Sequence, residues 1–328
     1  MSKNRMMQTM LGAVENEGKP NHTSNFDFYV NLPENWDFFK PFSSRPEDCT
    51  AENGEVWIME VDIFPYTVQN THHMERDDAK GIALPDTEYI RNLFYVHNNV
   101  GKGKEICLRS QGMPCPICDY YFENTKGVDW DSVPQEMKNV KGKARNLYIV
   151  QPKNDNVHED KPHIWEVSYH TFTKMLTESL KKENKKTEKR SKGKEHVSPY
   201  NGFADFEDGY TVELTFTTDT WNKKEFAKLV SVGFLDREEQ YNWDLLDTVP
   251  DLDSLLKVKS YEELKNKFYG NEEPEAEEPA KTQETPSKRK PKKLDAENPC
   301  PHGYKYGEDW DEQKECESCV KYDACGEL

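Results

Sequence analysis

The stretch GMPCPICDYY contains two cysteines, Cys115 and Cys118, separated by two residues. Cys107 lies eight residues before Cys115, and His97 lies ten residues before Cys107. Structural zinc is held in a tetrahedron by four thiolate or imidazole ligands. The spacing therefore predicts a closed zinc site of one imidazole and three thiolates, with no open position for a substrate.

Two other interpretations of the cysteine pair stay open. A redox C-x-x-C motif opens a helix among alternating strands and helices, but no helical period follows Cys118 and the strand-like runs are not separated by helices. The thiols could instead be buried without a metal, as free cysteines often are. The histidine ligand could also be His72 or His73, which lie in the preceding polar loop.

A second group of cysteines lies near the end of the sequence. Cys300, Cys316, Cys319 and Cys325 have ligand-like spacing, and His302 is a possible substitute for one of them. So few aliphatic side chains surround them that burial alone cannot fold the segment, whereas structural zinc contributes about 10 kcal/mol or more. We therefore predict a second zinc ion in a small terminal knuckle, with a disordered cysteine-containing tail as the alternative.

The chain of 328 residues has a formal net charge of −17, which by itself disfavours binding to nucleic acid. The charge is unevenly distributed, because residues 138–198 contain 15 basic and 8 acidic residues. No run approaches the ~20 apolar residues that span a bilayer, and the N-terminus lacks the apolar segment of a signal peptide. We expect a cytoplasmic protein, and cysteines in that compartment are more often metal ligands than disulfides.

Short aromatic runs bounded by Gly, Pro, Asn and Asp predict a mostly β fold with some α-helix, in a small barrel or sandwich. In EVWIMEVDIFPYTV the alternation predicts a strand with one buried face. The predicted regions are a flexible N-terminal arm (1–25), a β-rich core (26–235) with the zinc insert (97–121), a helical cap (236–270), a disordered charged linker (271–299) and the cysteine-rich knuckle (300–328).

Two segments carry signals for a helix or a loop. In SYEELKNKFYG, Ser260 is the predicted N-cap, Glu263 completes a capping box and Gly270 ends the helix. Residues 181–196 contain eight basic residues and no large apolar one. That composition predicts a solvated loop or a frayed helix end, placed outside the core.

Several segments together resemble a known family. VDIFPYTV, YVHNNVG, CPICDYY, ARNLYIV and DLDSLLKVKSYEELKNKFYG are similar, in this order, to the single-stranded-DNA-binding proteins of tailed phages, including the helix-destabilising proteins of T-even phages. The similarity spans residues 26–270, and its most specific part is the set of His97, Cys107, Cys115 and Cys118. The resemblance implies an OB-fold-like barrel core with one structural Zn²⁺ ion and no enzymatic activity.

The resemblance also implies how such a protein is used. It would coat and protect single-stranded DNA during phage replication, recombination and repair, in the cytoplasm of the host bacterium. Its acidic C-terminal region would recruit replication or recombination proteins, copies would associate cooperatively on DNA, and no membrane partner is expected. The arm departs from the family pattern, because only Lys3 and Arg5 precede the acidic Glu15 and Glu17.

A sequence-neutral single-strand binder needs cations for phosphates and aromatic faces for bases. Candidates of both kinds adjoin the predicted zinc ligands and the strand-like runs that follow them. The predicted DNA-contact residues are Arg91, Tyr95, Lys102, Lys104, Arg109, Tyr120, Tyr121, Lys141, Lys143, Arg145, Tyr148, Trp165, Tyr169 and Phe172. Each also has a plainer interpretation, because the aromatic residues suit a core and the basic residues suit a solvated surface.

Two alternative functions stay open. A zinc-containing transcription or assembly adaptor would use both knuckles as docking surfaces for protein, with the aromatic residues in its core. A metal-dependent nuclease would draw on the carboxylates of HHMERDD, residues 72–78. Catalytic carboxylates usually converge from separate rigid elements. Here they follow one another in a single polar loop, which disfavours the nuclease.

Overall fold

The computed structural model describes residues 29–101, 103–158, 160–191, 198–221 and 223–270. Its strands are β1 (Val56–Phe64), β2 (Tyr66–Thr67), β3 (Glu88–Tyr89), β4 (Asn92–Val100), β5 (Gly103–Ile106), β6 (Lys143–Lys153), β7 (His163–Ser168), β8 (Tyr210–Trp221) and β9 (Lys224–Asp236). Its α-helices are α1 (Pro116–Thr125), α2 (Gln135–Val140), α3 (Lys174–Arg190) and α4 (Tyr261–Tyr269). Within these ranges, no helix is long and apolar enough to cross a membrane.

Seven strands form one antiparallel sheet in the order β5-β4-β6-β1-β8-β9, with β7 paired to β6 outside this path. The long strand β6 is its centre, because β4 pairs with its first half, β1 with its second half and β7 with residues common to both. Among the described strands, β5 and β9 end the order without pairing to each other. The mostly β fold is confirmed and the sheet is open, so the closed OB-fold-like barrel stays a prediction.

The predicted alternation in β1 is confirmed. Trp57, Met59, Val61 and Ile63 are buried in one apolar cluster, while Ile58 on the opposite face is exposed. Alternate residues of a strand point to opposite faces, so the cluster lies on one side of this part of the sheet. A second apolar cluster includes side chains from β4, β6 and the segment around residues 252–256.

Asp62 breaks the pattern of β1, because it lies on the same face as the exposed Ile58 and is nevertheless fully buried. Its carboxylate accepts hydrogen bonds of 2.7 Å from both Thr211 Oγ1 and Tyr241 OH. The Nε atom of Arg237 lies 3.3 Å from Asp62 Oδ1, and that arginine side chain is itself almost wholly buried. A buried carboxylate needs such partners, and here they tie the end of β9 and the following loop to β1.

The helices correct two sequence-based predictions. A helix does begin at the cysteine pair: α1 starts at Pro116 with Cys115 as its N-cap, and it contains Cys118. The basic segment 181–196 was predicted as a loop or frayed end, but its residues up to Arg190 belong to the regular helix α3. These α3 residues are exposed or half-buried, so the prediction of a solvated segment outside the core is confirmed for residues 181–190.

The predicted helix in the cap is confirmed in detail. The Ser260 side chain accepts a hydrogen bond from the Glu263 N–H, and the Glu263 carboxylate accepts one from the Ser260 N–H, which is a capping box. Gly270 follows α4 in the left-handed conformation that favours glycine. The arm (1–25), the linker (271–299), the knuckle (300–328) and residues 192–196 of the basic segment lie outside the described residues.

Candidate functional site: a buried metal centre

Four side chains from separate places in the chain meet beside the edge strand β5. His97 lies on β4, Cys107 follows β5, Cys115 is the N-cap of α1 and Cys118 lies in its first turn. One ligand atom from each lies within 4.8 Å of all the others, and three of the four residues are buried. The predicted set of four ligands is therefore brought together, and it could hold a metal ion.

Three of the distances between ligand atoms are close to those around a tetrahedral zinc ion. The Nε2 atom of His97 lies 3.4 Å from Cys115 Sγ and 3.6 Å from Cys118 Sγ. Cys107 Sγ lies 3.4 Å from Cys118 Sγ, which is too far for a disulfide bond of about 2.05 Å. Zinc bond lengths imply about 3.6 Å between a nitrogen and a sulfur ligand and about 3.8 Å between two sulfurs. Small shifts of the side chains would complete such a site.

The imidazole of His97 is oriented by the backbone of α2. Its Nδ1 atom donates a 2.8 Å hydrogen bond to the carbonyl oxygen of Val140, the last residue of that helix. Because a carbonyl oxygen only accepts, this bond places a proton on Nδ1, and Nε2 is the ring nitrogen that faces the sulfurs. Histidine ligands of metals are commonly held in this way, with the second ring nitrogen bonded to a carbonyl or carboxylate.

Crowding shifts the pKa values of the ligands. Hydrogen bonds with Cys107 and Cys118 lower the pKa of the Cys115 thiol, whereas those with Cys107 and Cys115 raise the pKa of the Cys118 thiol. Burial disfavours protonation of His97, but Cys107 and Cys115 raise its pKa to about 10. The cluster therefore attracts positive charge, which a divalent cation bound to the sulfurs would supply.

The surroundings of the four ligands suit a structural ion. Cys107 and Cys115 belong to a small apolar cluster that also contains Ile117 of α1 and Leu264 and Phe268 of α4. All four tetrahedral positions are taken by side chains of the chain itself. A metal ion held there would join β4, the end of β5 and α1 to each other, and it would have no position left for a substrate.

The competing histidines do not belong to the four-residue cluster. His72 is exposed and its Nδ1 atom contacts Thr71, while His73 is buried against the carbonyl oxygen of Arg91. The carboxylates of the same loop are engaged with cations instead of converging on one point. Glu75 forms a bidentate pair with Arg91, and ion pairs of 2.7 and 2.9 Å join the next two aspartates to nearby cations.

The structure corrects several of the predicted DNA contacts. Tyr148, Trp165 and Phe172 are buried in the main apolar cluster, so no ring face is open to a base. Tyr121 is also buried, within the cluster around the metal site. The alternation of residue types in β6 could not show which face is open to solvent, because both faces are buried in the fold.

Arg91 is half-buried in its bidentate pair with Glu75, which makes it a structural cation in this fold. The other predicted contacts retain some exposure and stay predictions: Tyr95, Lys104, Arg109, Tyr120, Lys141, Lys143, Arg145 and Tyr169. Of these, Arg109 pairs with Asp119 and Tyr120 packs edge-on against Phe268. Lys102 and the terminal ligands Cys300, Cys316, Cys319, Cys325 and His302 lie outside the described residues.

One exposed aromatic residue was missed by the sequence analysis. Trp130 lies in a short 3-10 turn between α1 and α2, and half of its surface is exposed. The ammonium groups of Lys138 and Lys141 lie 5.2 and 4.7 Å from its ring centroid. The polar sequence around Trp130 has neither a strand nor a helix period. The only feature of the sequence that could have indicated a binding residue there is a tryptophan close to lysines.

Comparison with models of known protein families finds no match, and a search of curated proteins finds none either. Function is therefore inferred from the four-residue cluster and from the exposed cations and aromatic residues of the described chain.

Proposed function

We propose that this protein binds single-stranded DNA without sequence preference, as a non-enzymatic coating protein of phage replication, recombination and repair. In this proposal the four-ligand site holds zinc, which suits one imidazole and three soft thiolates in a tetrahedron. The ion supplies fold stability and performs no step of a reaction. The open sheet would be a variant of the OB-fold-like core implied by the family resemblance.

The observation that carries the proposal is a row of cations on one face of β5 and β6. Lys143 is paired in register with Val96, Arg145 with Phe94, and Lys104 with Asn98. Directly opposed residues of antiparallel strands point to the same face, so all three cations share one side of the sheet. Positions 143 and 145 are separated by about 7 Å along the strand, a spacing suited to successive phosphates.

Only part of this positive charge is neutralised within the fold. Arg145 forms a bidentate pair with Glu166, which also accepts a 2.8 Å hydrogen bond from Tyr29 OH. Burial, and after it the positive charge of Arg145, lowers the pKa of Lys104. Lys104 and Lys143 have no ion-pair partner among the described residues. A phosphate group would relieve the repulsion between Lys104 and Arg145.

The proposal is tested by the affinity of the full chain for a fluorescent oligo(dT), measured by anisotropy over a salt series. Affinity should fall steeply with salt, because bound phosphates release counterions. Changing Lys104 and Lys143 to Gln should weaken binding and reduce the slope of log K against log salt by about 0.7 for each phosphate that the variant no longer neutralises.

Lys228→Gln is the matched control, since it removes one positive charge from β9 at the opposite end of the sheet order. It should leave the affinity and the slope unchanged. A wild-type chain without affinity for oligo(dT) at low salt would refute the function. An equal loss of affinity in the Lys228 variant would refute the location on β5 and β6.

A further inference from the structure

Trp130 is half exposed, and the residues that follow it are anchored in the fold. On the C-terminal side of it, Val133, Met137 and Val140 are buried, so the turn and α2 are anchored to the body of the fold. Val140 also accepts the hydrogen bond from His97, the histidine of the metal site. The ring therefore projects from a short segment whose end is fixed to the metal centre.

Cations surround this ring and continue into the row on β6. Lys138 and Lys141 lie within cation–π distance of the indole, at 5.2 and 4.7 Å from its centroid. Lys141 is followed after one residue by Lys143, the first residue of β6 and a member of the proposed phosphate-binding row. An aromatic surface and a track of cations thus adjoin each other, as binding of unpaired nucleotides requires.

We propose that Trp130 is a stacking site for an unpaired nucleobase, with Lys138 and Lys141 binding the phosphates on either side of that base. The inference rests on the proposed function and assigns the residue that contacts the base. Stacking on an aromatic ring contributes about 1–3 kcal/mol per base and tolerates every base, which matches sequence-neutral binding.

The alternative is that the lysines merely cover an exposed tryptophan and that the segment binds nothing. The two possibilities differ in how binding depends on the base itself. The affinity of a stacking site depends on the presence of bases in the oligonucleotide, whereas the affinity of a purely electrostatic surface depends only on its phosphates. An abasic oligonucleotide of the same length has the same charge and no ring to stack, so it separates these contributions.

The test compares the affinities of oligo(dT) and an abasic oligonucleotide of equal length for the full chain and for Trp130→Ala. The substitution should weaken oligo(dT) binding by about 5- to 150-fold, the equivalent of one stacked base. Binding of the abasic oligonucleotide should be unchanged. Trp130→Phe, which keeps a smaller aromatic face, should recover part of the loss and guards against a folding defect in the alanine variant.

Trp221→Ala is the matched control, since Trp221 is 70% exposed at the end of β8 and has no place in the proposed surface. It should leave both affinities unchanged. If Trp130→Ala weakens both oligonucleotides equally, or neither, the stacking site is wrong while single-strand binding stands. If the wild-type chain binds neither oligonucleotide, the proposed function fails and the stacking site fails with it.

Discussion

Removal of a metal ion held by the four-ligand site should release helix α4 from the rest of the fold. This helix has nine residues, and isolated helices of that length are marginal in water. It is retained by Leu264 and Phe268, which are buried in the cluster that contains Cys107 and Cys115. Lys267 adds an ion pair of 2.8 Å with the buried Glu105 of β5, two residues before the first cysteine ligand. The interactions that hold α4 are thus built on the metal-binding segment.

The magnitude follows from the buried side chains. Full burial of a leucine or phenylalanine contributes about 1.5–3 kcal/mol, so the two together hold α4 by about 3–6 kcal/mol. Structural zinc contributes about 10 kcal/mol or more, which exceeds that sum. Loss of the ion would disorder the surface against which α4 packs. Hydrogen exchange of the α4 amides should then accelerate by about two to four orders of magnitude.

The assay is hydrogen exchange read by mass spectrometry on the full chain, before and after chelation, with metal content measured on the same samples. Helix α3 is the internal control, because its buried Leu176 packs in the main cluster away from the metal ligands. Lys267→Met should loosen α4 even with metal bound. Lys265→Met, whose partner is Glu262 of the same helix, should not. Unchanged protection of α4 in metal-free protein would refute the reasoning.

Three further predictions concern stability. Ser260→Ala should destabilise α4 by about 1 kcal/mol, measured as faster local hydrogen exchange, because it removes the N-cap; unaltered exchange would contradict this. Arg237→Ala should lower the free energy of unfolding in denaturant by about 3–5 kcal/mol, since it leaves Asp62 buried without its cation; a decrease below about 1 kcal/mol would show that the pair is dispensable. Burial opposes ionisation of Asp155, but hydrogen bonds, chiefly from His158, lower its pKa below the ordinary 3.8. The contribution of this carboxylate to the free energy of unfolding is therefore present above pH 3.8 and is lost as pH falls below that value. Between neutral pH and about pH 3, the free energy of unfolding should decrease more in the wild-type chain than in Asp155→Asn. Equal decreases would refute this prediction.

The metal ligands could be predicted from the sequence because their chemistry is local and discrete. Three cysteines and a histidine within 22 residues leave few arrangements for a tetrahedral ion, and the four residues do meet. The helix α4 could also be predicted from the sequence, because the capping residues Ser260 and Glu263 mark its start and Gly270 marks its end. In both cases the residue types themselves specify the local geometry.

The helices α1 and α3 were missed for a different physical reason. Neither has a clear amphipathic period: α1 reads PICDYYFENT, and most of α3 is lysine and glutamate with Leu176 as its buried anchor. Helix formation there depends on Pro116 at the first position of α1 and on good helix-forming residues in α3, as well as on tertiary contacts.

The DNA-contact residues were the least predictable part of the candidate site. Alternation separates the two faces of a strand only when one of them is exposed, and in β6 both Leu147 and Tyr148 are fully buried. Trp130 was missed because its exposure depends on how a turn is anchored between two helices. Likewise, the burial of Asp62 depends on Arg237, 175 positions away in the sequence.

Competition between single and double strands tests most directly whether the full chain binds single-stranded DNA. A labelled oligo(dT) bound to the protein would be challenged with unlabelled single strand and with duplex of equal length, at low and at physiological salt. The proposal predicts that single strand displaces the label at far lower concentration than duplex at both salt concentrations. Equal displacement by duplex, or no binding of the label at low salt, would contradict it.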